Sequence, residues 1–100
     1  MPLMRWNENI LWDNYAATAG ETTAPMDIKR IQYLLVYVKV SAATTITLQA
    51  YTKSGMQDYD TMTFTGAGYN WWNILSLPAD SIRFQTSNAA TITIHVMYKT

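Results

Sequence analysis

The chain has 100 residues and no cysteine, and its seven Lys plus Arg balance seven Asp plus Glu. That length makes one domain with a modest core, the absence of thiols excludes disulfide staples and thiolate metal sites, and the neutral balance offers no basic field to a phosphate backbone. Only 14% of the residues are charged, against about 25% in an average soluble domain, so much of the surface is expected to be Thr, Ser, Asn, Gln and Tyr.

Nucleic acid is therefore not an expected partner. Neither is a membrane, since no apolar run approaches the roughly 18 residues needed to span one. The start, Met1 to Glu8, lacks a basic segment followed by a long apolar one and reads as no secretory signal.

Residues 1–27 read as an N-terminal arm and linker, and residues 28–100 as the domain proper. Ile10-Leu11-Trp12 fits a short strand, while the stretch AATAGETTAP at 16–25 is small, polar and weakly patterned. The arm carries Trp6, Trp12 and Tyr15. Large aromatics bury about 150–250 Å² each, so an arm with three of them is expected to dock, on its own domain or on a neighbour.

From residue 28 onward the period is two. Leu34, Val36, Val38 and Val40 share one face, and after Ser41-Ala42-Ala43 so do Ile46, Leu48 and Ala50; the pair reads as a hairpin. Lys53-Ser54-Gly55 is a turn signal. Met62 and Phe64 then alternate with Thr61, Thr63 and Thr65, the strand 71–77 ends at Pro78, which has no donor for a ladder, and Ile82 and Phe84 flank Arg83. The last strand sets Ile92, Ile94, Val96 and Tyr98 against Thr91, Thr93, His95 and Met97.

No segment beyond residue 27 carries a 3.6 period. The fold class that follows is all-β: an antiparallel β-sandwich, jelly-roll-like, of about seven or eight strands. Its expected core holds Val36, Val38, Ile46, Leu48, Phe64, Leu75, Ile82, Phe84, Ile92, Ile94 and Val96.

Two passages echo each other: SAATTITLQAYTK from Ser41 and SNAATITIHVMYK from Ser87. They read as two hairpins of like chemistry, one closing each sheet. Thr on a wet face and Ile on a dry one is what any half-buried strand selects, so the echo needs no gene duplication.

Residues for catalysis are scarce. The one histidine, His95, sits mid-strand with no thiol to pair with, and a catalytic zinc set needs more histidines than the chain has. Asp58 and Asp60, two apart on one strand, read as sharing a face, but calcium requires six or more oxygens and a loop spacing that is absent. A binding or structural protein, with no enzyme activity, cofactor or metal, is the expectation.

The aromatics remain. In GAGYNWWN at 66–73, neighbours on a strand point to opposite faces, so one of Trp71 and Trp72 joins the core and the other faces out. Leu75 and Leu77 as buried residues would put Trp71 inside; Ile74 as the buried residue would put Trp72 inside. The outward ring lies beside Tyr69, Asn70 and Asn73. That composition suits an oligomer interface, cover by the arm, or a platform on which a sugar stacks.

The order of segments between Thr47 and Thr93, with KSGMQDYDT, then a Gly-rich loop with Trp, then LPADSIRF and TSNAATITI, resembles small β-sandwich structural proteins of tailed phages, of the kind that decorate capsids. More distantly it is similar to discoidin-type jelly rolls, although Met56-Gln57-Asp58-Tyr59 stands where that pattern often has a tryptophan. The resemblance implies a virion component made in the host cytoplasm, bound to a capsid or other virion protein. Low charge, an arm with three large aromatics and an outward tryptophan give more aromatic surface than one domain of this size covers. A homo-oligomer is therefore expected, with contacts through Trp6, Trp12, Tyr15, Tyr69, Asn70, Trp71, Trp72 and Asn73; the phage resemblance favours a trimer. A carbohydrate-binding module using the Trp/Tyr platform is the alternative.

Overall fold

The computed structural model describes residues 6–75 and 77–100, with Leu75 described by its backbone. Eight strands form: β1 (Asn7–Ala17), β2 (Met26–Asp27), β3 (Tyr33–Val40), β4 (Thr44–Thr52), β5 (Gly55–Phe64), β6 (Gly68–Leu75), β7 (Ser81–Thr86) and β8 (Ala90–Lys99). They make two antiparallel four-stranded sheets, sheet A in the order β1-β8-β3-β6 and sheet B in the order β2-β7-β4-β5. This is the strand order of an eight-stranded jelly roll, two interlocked Greek keys facing each other across one core.

The alternating residues meet between the sheets. Val36, Val38, Ile46, Leu48, Ile82, Phe84, Ile92, Ile94 and Val96 are all buried, as expected from their period, while Phe64 is only half-buried at the end of β5. The side chain of Leu75 lies outside the described residues. Trp12, Ala17, Met26, Ile28, Leu34, Val40, Met62, Trp72 and Ile74 complete the core.

β3 and β4 are not the hairpin their sequence implies. β3 pairs with β6 and β8, and β4 with β5 and β7, so Ser41-Ala42-Ala43 carries the chain from one sheet to the other. The β7–β8 connection at Ser87 crosses back in the same way. Among the described residues the one true hairpin is β4–β5, where Thr52 pairs with Gly55 and Gly55 takes the positive φ of 100° that a tight turn requires.

The echo thus marks two matching corners. Ser41 N–H donates to the Thr91 carbonyl (3.0 Å) and Thr91 N–H to Ser41 Oγ (2.8 Å); Ser87 N–H donates to the Thr45 carbonyl (3.0 Å) and Thr45 N–H to Ser87 Oγ (2.9 Å). The match runs beyond the corners. Val40 faces Ile92 across β3–β8 as Thr86 faces Ile46 across β7–β4, and Val36 faces Trp72 across β3–β6 as Ile82 faces Met26 across β7–β2. An internal two-fold therefore exchanges the sheets, with Ser41 and Ser87 in equivalent roles. Ser41→Ala and Ser87→Ala each remove the corner bond from the facing strand and are each expected to cost about 1 kcal/mol in a urea unfolding series, with Ser87 Oγ also 3.3 Å from Thr44 Oγ1; one silent serine would break the equivalence.

Residues 7–17, assigned from sequence to an arm, are a full edge strand of sheet A. β1 pairs with β8 from Asn7↔Tyr98 to Ala17↔Ala90, with register shifts between Ile10 and Trp12 and between Trp12 and Tyr15. The first shift matters most. An extra residue flips the parity of the strand, so Ile10 faces outward opposite His95 while Trp12 faces inward opposite Ile94 and is 7% exposed. Asn14 sits within the second shift at φ 48°, a conformation its residue type tolerates, with its N–H on Thr93 Oγ1 at 3.0 Å.

The segment read as a weakly structured linker is tied to the edge of β7. Gly20 N–H and Thr23 N–H donate to the carbonyls of Thr86 and Phe84 (both 2.8 Å), and buried Thr23 accepts the Phe84 N–H through Oγ1 at 3.0 Å. Glu21 closes the loop, accepting from Thr18 N–H (3.0 Å), Thr18 Oγ1 (3.1 Å) and the Tyr15 hydroxyl. The part of the arm at residues 1–5 lies outside the described residues.

These bonds set a pH dependence. The Thr18 N–H and the Tyr15 hydroxyl hold the Glu21 carboxyl below its ordinary range, so its contribution to stability is present above the unfolded carboxyl pKa and is lost as pH falls through the folded value. The hydrogen bond to Glu21, then desolvation and the carboxylate charge, push the Tyr15 phenol up; that contribution holds below the unfolded phenol pKa and is lost as pH rises through the raised value. Thermal melts of Glu21→Gln should lose the acid-side decline of the wild type attributable to this loop, and Tyr15→Phe the alkaline one.

Candidate aromatic docking face

The outer surface of sheet A collects the aromatics. Across the sheet, Ile10, His95, Tyr37 and Trp71 form one row, Glu8, Met97, Leu35 and Asn73 the next, and Thr93, Lys39 and Tyr69 a third. Tyr37 lies 4.8 Å from Trp71 and 5.9 Å from Tyr69 between ring centroids. At the other end Trp6 meets the edge of Tyr33 at 5.3 Å, with the Lys99 ammonium 4.5 Å above its ring. Trp71 is 47% exposed and Tyr69 66%.

The pair at 71–72 is thereby settled. Ile74 marks the buried side of β6, Trp72 is 8% exposed and packs 5.8 Å from Phe84, and Trp71 faces out. Trp72 keeps its polar end satisfied by donating Nε1–H to Asp60 Oδ2 at 3.0 Å. Asp60 can reach it because β5 is bulged: Leu48 pairs with Asp60 and Gln49 with Asp58, which puts the two carboxylates on opposite faces. The shared face read from their i, i+2 spacing is lost to that one extra residue.

Of the residues singled out from sequence, the fold brings Trp6, Tyr69, Trp71 and Asn73 onto the outer face of sheet A. Trp12 and Trp72 are core. Tyr15 stacks on Trp12 at 5.1 Å and binds Glu21, at the far end of β1. Asn70 is opposite Val38, on the other side of β6 from its neighbours, and its Oδ1 accepts the Trp71 N–H at 2.9 Å. The sequence reading passed over Ile10, Tyr33, Leu35, Tyr37 and Met97. Leu35 and Tyr37 did leave a signal, for a strand with apolar residues at both parities is apolar on both faces.

Sheet B provides the comparison. Its central outer rows are Thr61, Thr47 and Gln85, then Asp58, Gln49 and Arg83, with Gln49 Nε2 donating to Asp58 (2.9 Å) and Gln85 (3.3 Å) and Arg83 Nε donating to Gln49 Oε1 (2.7 Å); Met56, Tyr51 and Ser81 make the row toward its end. Under the internal two-fold, Arg83 and Gln49 hold the places that Tyr37 and His95 hold in sheet A. The framework accepts a polar outer face, so the aromatic one is not a requirement of folding.

His95 sits between Ile10 and Tyr37 with Nε2 3.5 Å from Glu8 Oε2. Charge lies at the margins of the face: Glu8 on the edge strand, Lys39 and Lys99 toward the strand ends. An apolar centre with a charged rim is the anatomy of a protein interface.

No protein-family model matches the chain, and no curated protein matches it. Among solved structures, the SPBc2 prophage-derived protein YomS is similar over 100% of this chain and 99% of that one, with a TM-score of 0.65 at 14% sequence identity. At that identity the likeness is one of fold.

Proposed function

We propose that the chain is a non-enzymatic structural protein of a tailed phage, a capsid decoration or accessory protein that attaches to a virion protein through the outer face of sheet A. The observation that carries this reading is the contrast between the sheets: one outer face centres on a self-bonded polar network, with Tyr51 exposed only toward its end, while the other is a field of Trp, Tyr, Leu, Ile and Met that folding does not demand. Exposed apolar patches of this kind mark interaction sites. The fold shared with a prophage-derived protein supports the phage setting.

The test is co-sedimentation. A tagged copy produced during growth of the phage that encodes it is expected to band with purified virions, and Trp71→Asp with Tyr37→Asp to leave it at the top of the gradient. Wild-type protein absent from the virion band would overturn the reading.

Glycan binding is the second reading, favoured by the Tyr37, Tyr69 and Trp71 cluster with Asn73 and Lys39 on the same face. In that case soluble oligosaccharide quenches tryptophan emission and Trp71→Ala removes the effect. A glycan array without hits rejects it.

A further inference from the structure

Each sheet of an open sandwich ends in two edge strands, and a free edge is a template for another strand unless it is defended. Three of the four edges here are. β1 is broken by two register shifts and carries Glu8 and Asp13. β5 is bulged and carries Asp58 and Asp60. β2 is two residues long and follows Pro25.

β6 has none of these devices. Its eight residues, GYNWWNIL, contain no charge and no proline, and they pair with β3 without a shift from Gly68↔Val40 to Leu75↔Tyr33. We propose that β6 is a pairing edge at which two copies of this chain join antiparallel, making one continuous sheet β1-β8-β3-β6 with its two-fold mate.

The occupant follows from charge. In an antiparallel pair of identical strands about a two-fold, the residues near the middle of the strand stand near their own copies or those of close neighbours, and like charges there are destabilising. β5 paired with itself about its middle would crowd four carboxylates, Asp58 and Asp60 of each copy, around the axis. β6 brings Tyr69, Trp71 and Asn73 of each copy onto one outer face, where aromatic cross-strand pairs are stabilising. The Trp71 N–H, held by the Asn70 side chain, is a donor that an incoming carbonyl can take over.

Such a contact is isologous and closes after two subunits, in place of the trimer that the phage resemblance implies. It concerns the isolated protein and stands whatever the aromatic face docks to. The dimer would set two aromatic faces side by side on one surface.

Sedimentation equilibrium over a concentration series, with amide hydrogen exchange at its two ends, tests the proposal. The expected result is a concentration-dependent species of twice the 11.4 kDa chain mass, protection that rises with concentration at β6 amides, and loss of both in Tyr69→Lys/Asn73→Lys. The variants Thr61→Lys/Thr63→Lys on β5 should still dimerise, and a thermal melt confirms that each variant is folded. Three results overturn the proposal: a monomer across the series, a trimer, or an oligomer that persists in the β6 variant with β6 amides unprotected.

Discussion

Trp72→Ala should lower the unfolding free energy by about 3–5 kcal/mol, the cost of removing a large buried aromatic, while Trp71→Ala should change it by less than about 1 kcal/mol, as surface substitutions do. The two residues are adjacent, identical in type and on the same strand. What separates them is the side of β6 on which each ring lies: Trp72 sits between the sheets against Phe84, and Trp71 lies on the outer face against Tyr37. The hydrogen bond to Asp60 adds little to the loss, because Asp60 is exposed and water replaces the indole donor.

For a domain of this size 1 kcal/mol corresponds to about 4–8 °C in Tm, so Trp72→Ala should melt at least about 10 °C lower and Trp71→Ala close to the wild type. The reverse order would mean that β6 is slipped by one residue against β3, since such a slip exchanges the faces of every side chain on the strand.

Removing residues 1–17 should abolish the cooperative fold. An arm that merely leans on a finished sandwich could be cut away at small cost, and the shortened chain would melt as the full one does. β1 instead supplies the ladder partner of β8 and places Trp12 and Ala17 in the core. Trp12→Ala alone should cost about 3–5 kcal/mol, against a total stability of about 5–15 kcal/mol for a domain of ordinary size. Truncation adds the exposure of the β8 edge, whose Ile92, Ile94 and Val96 are fully buried in the intact protein. Loss of the far-ultraviolet strand signal and of dispersed amide resonances is the expected outcome, and a shortened chain with wild-type spectra and Tm would return residues 7–17 to the status of an arm.

Both results turn on features that alternation alone could not supply. Along β3, β4, β7 and β8 the pattern is legible, because Leu34, Val36, Val38 and Val40, Ile46 and Leu48, Ile82 and Phe84, and Ile92, Ile94 and Val96 recur at every second residue while at least part of the opposite parity is Thr, Gln, Arg or Lys. β6 offers no such contrast. Trp71 and Leu75 stand at one parity, Trp72 and Ile74 at the other, so hydrophobicity is the same whichever face is buried, and the choice falls to the register with β3.

Bulges defeat the pattern differently. The shift after Ile10 carries Trp12 inward, and the one in β5 parts Asp58 from Asp60. Each depends on how a strand must bend to follow its partner, which its own residues do not encode.

What the sequence by itself determined is therefore the class of the fold, most of the strands and most of the core, because a half-buried strand writes its period into adjacent residues and needs no knowledge of its partner. The tertiary structure alone decided which strands share a sheet. Ser41-Ala42-Ala43 has the length of a hairpin loop and still crosses the sandwich, since β3 gains partners on both sides in sheet A and β4 does so in sheet B. The aromatic face was decided there too: Trp6 just before β1, Tyr37 on β3 and Trp71 on β6 are distant in the chain, and only non-local pairing through β8 and β3 sets them on one surface.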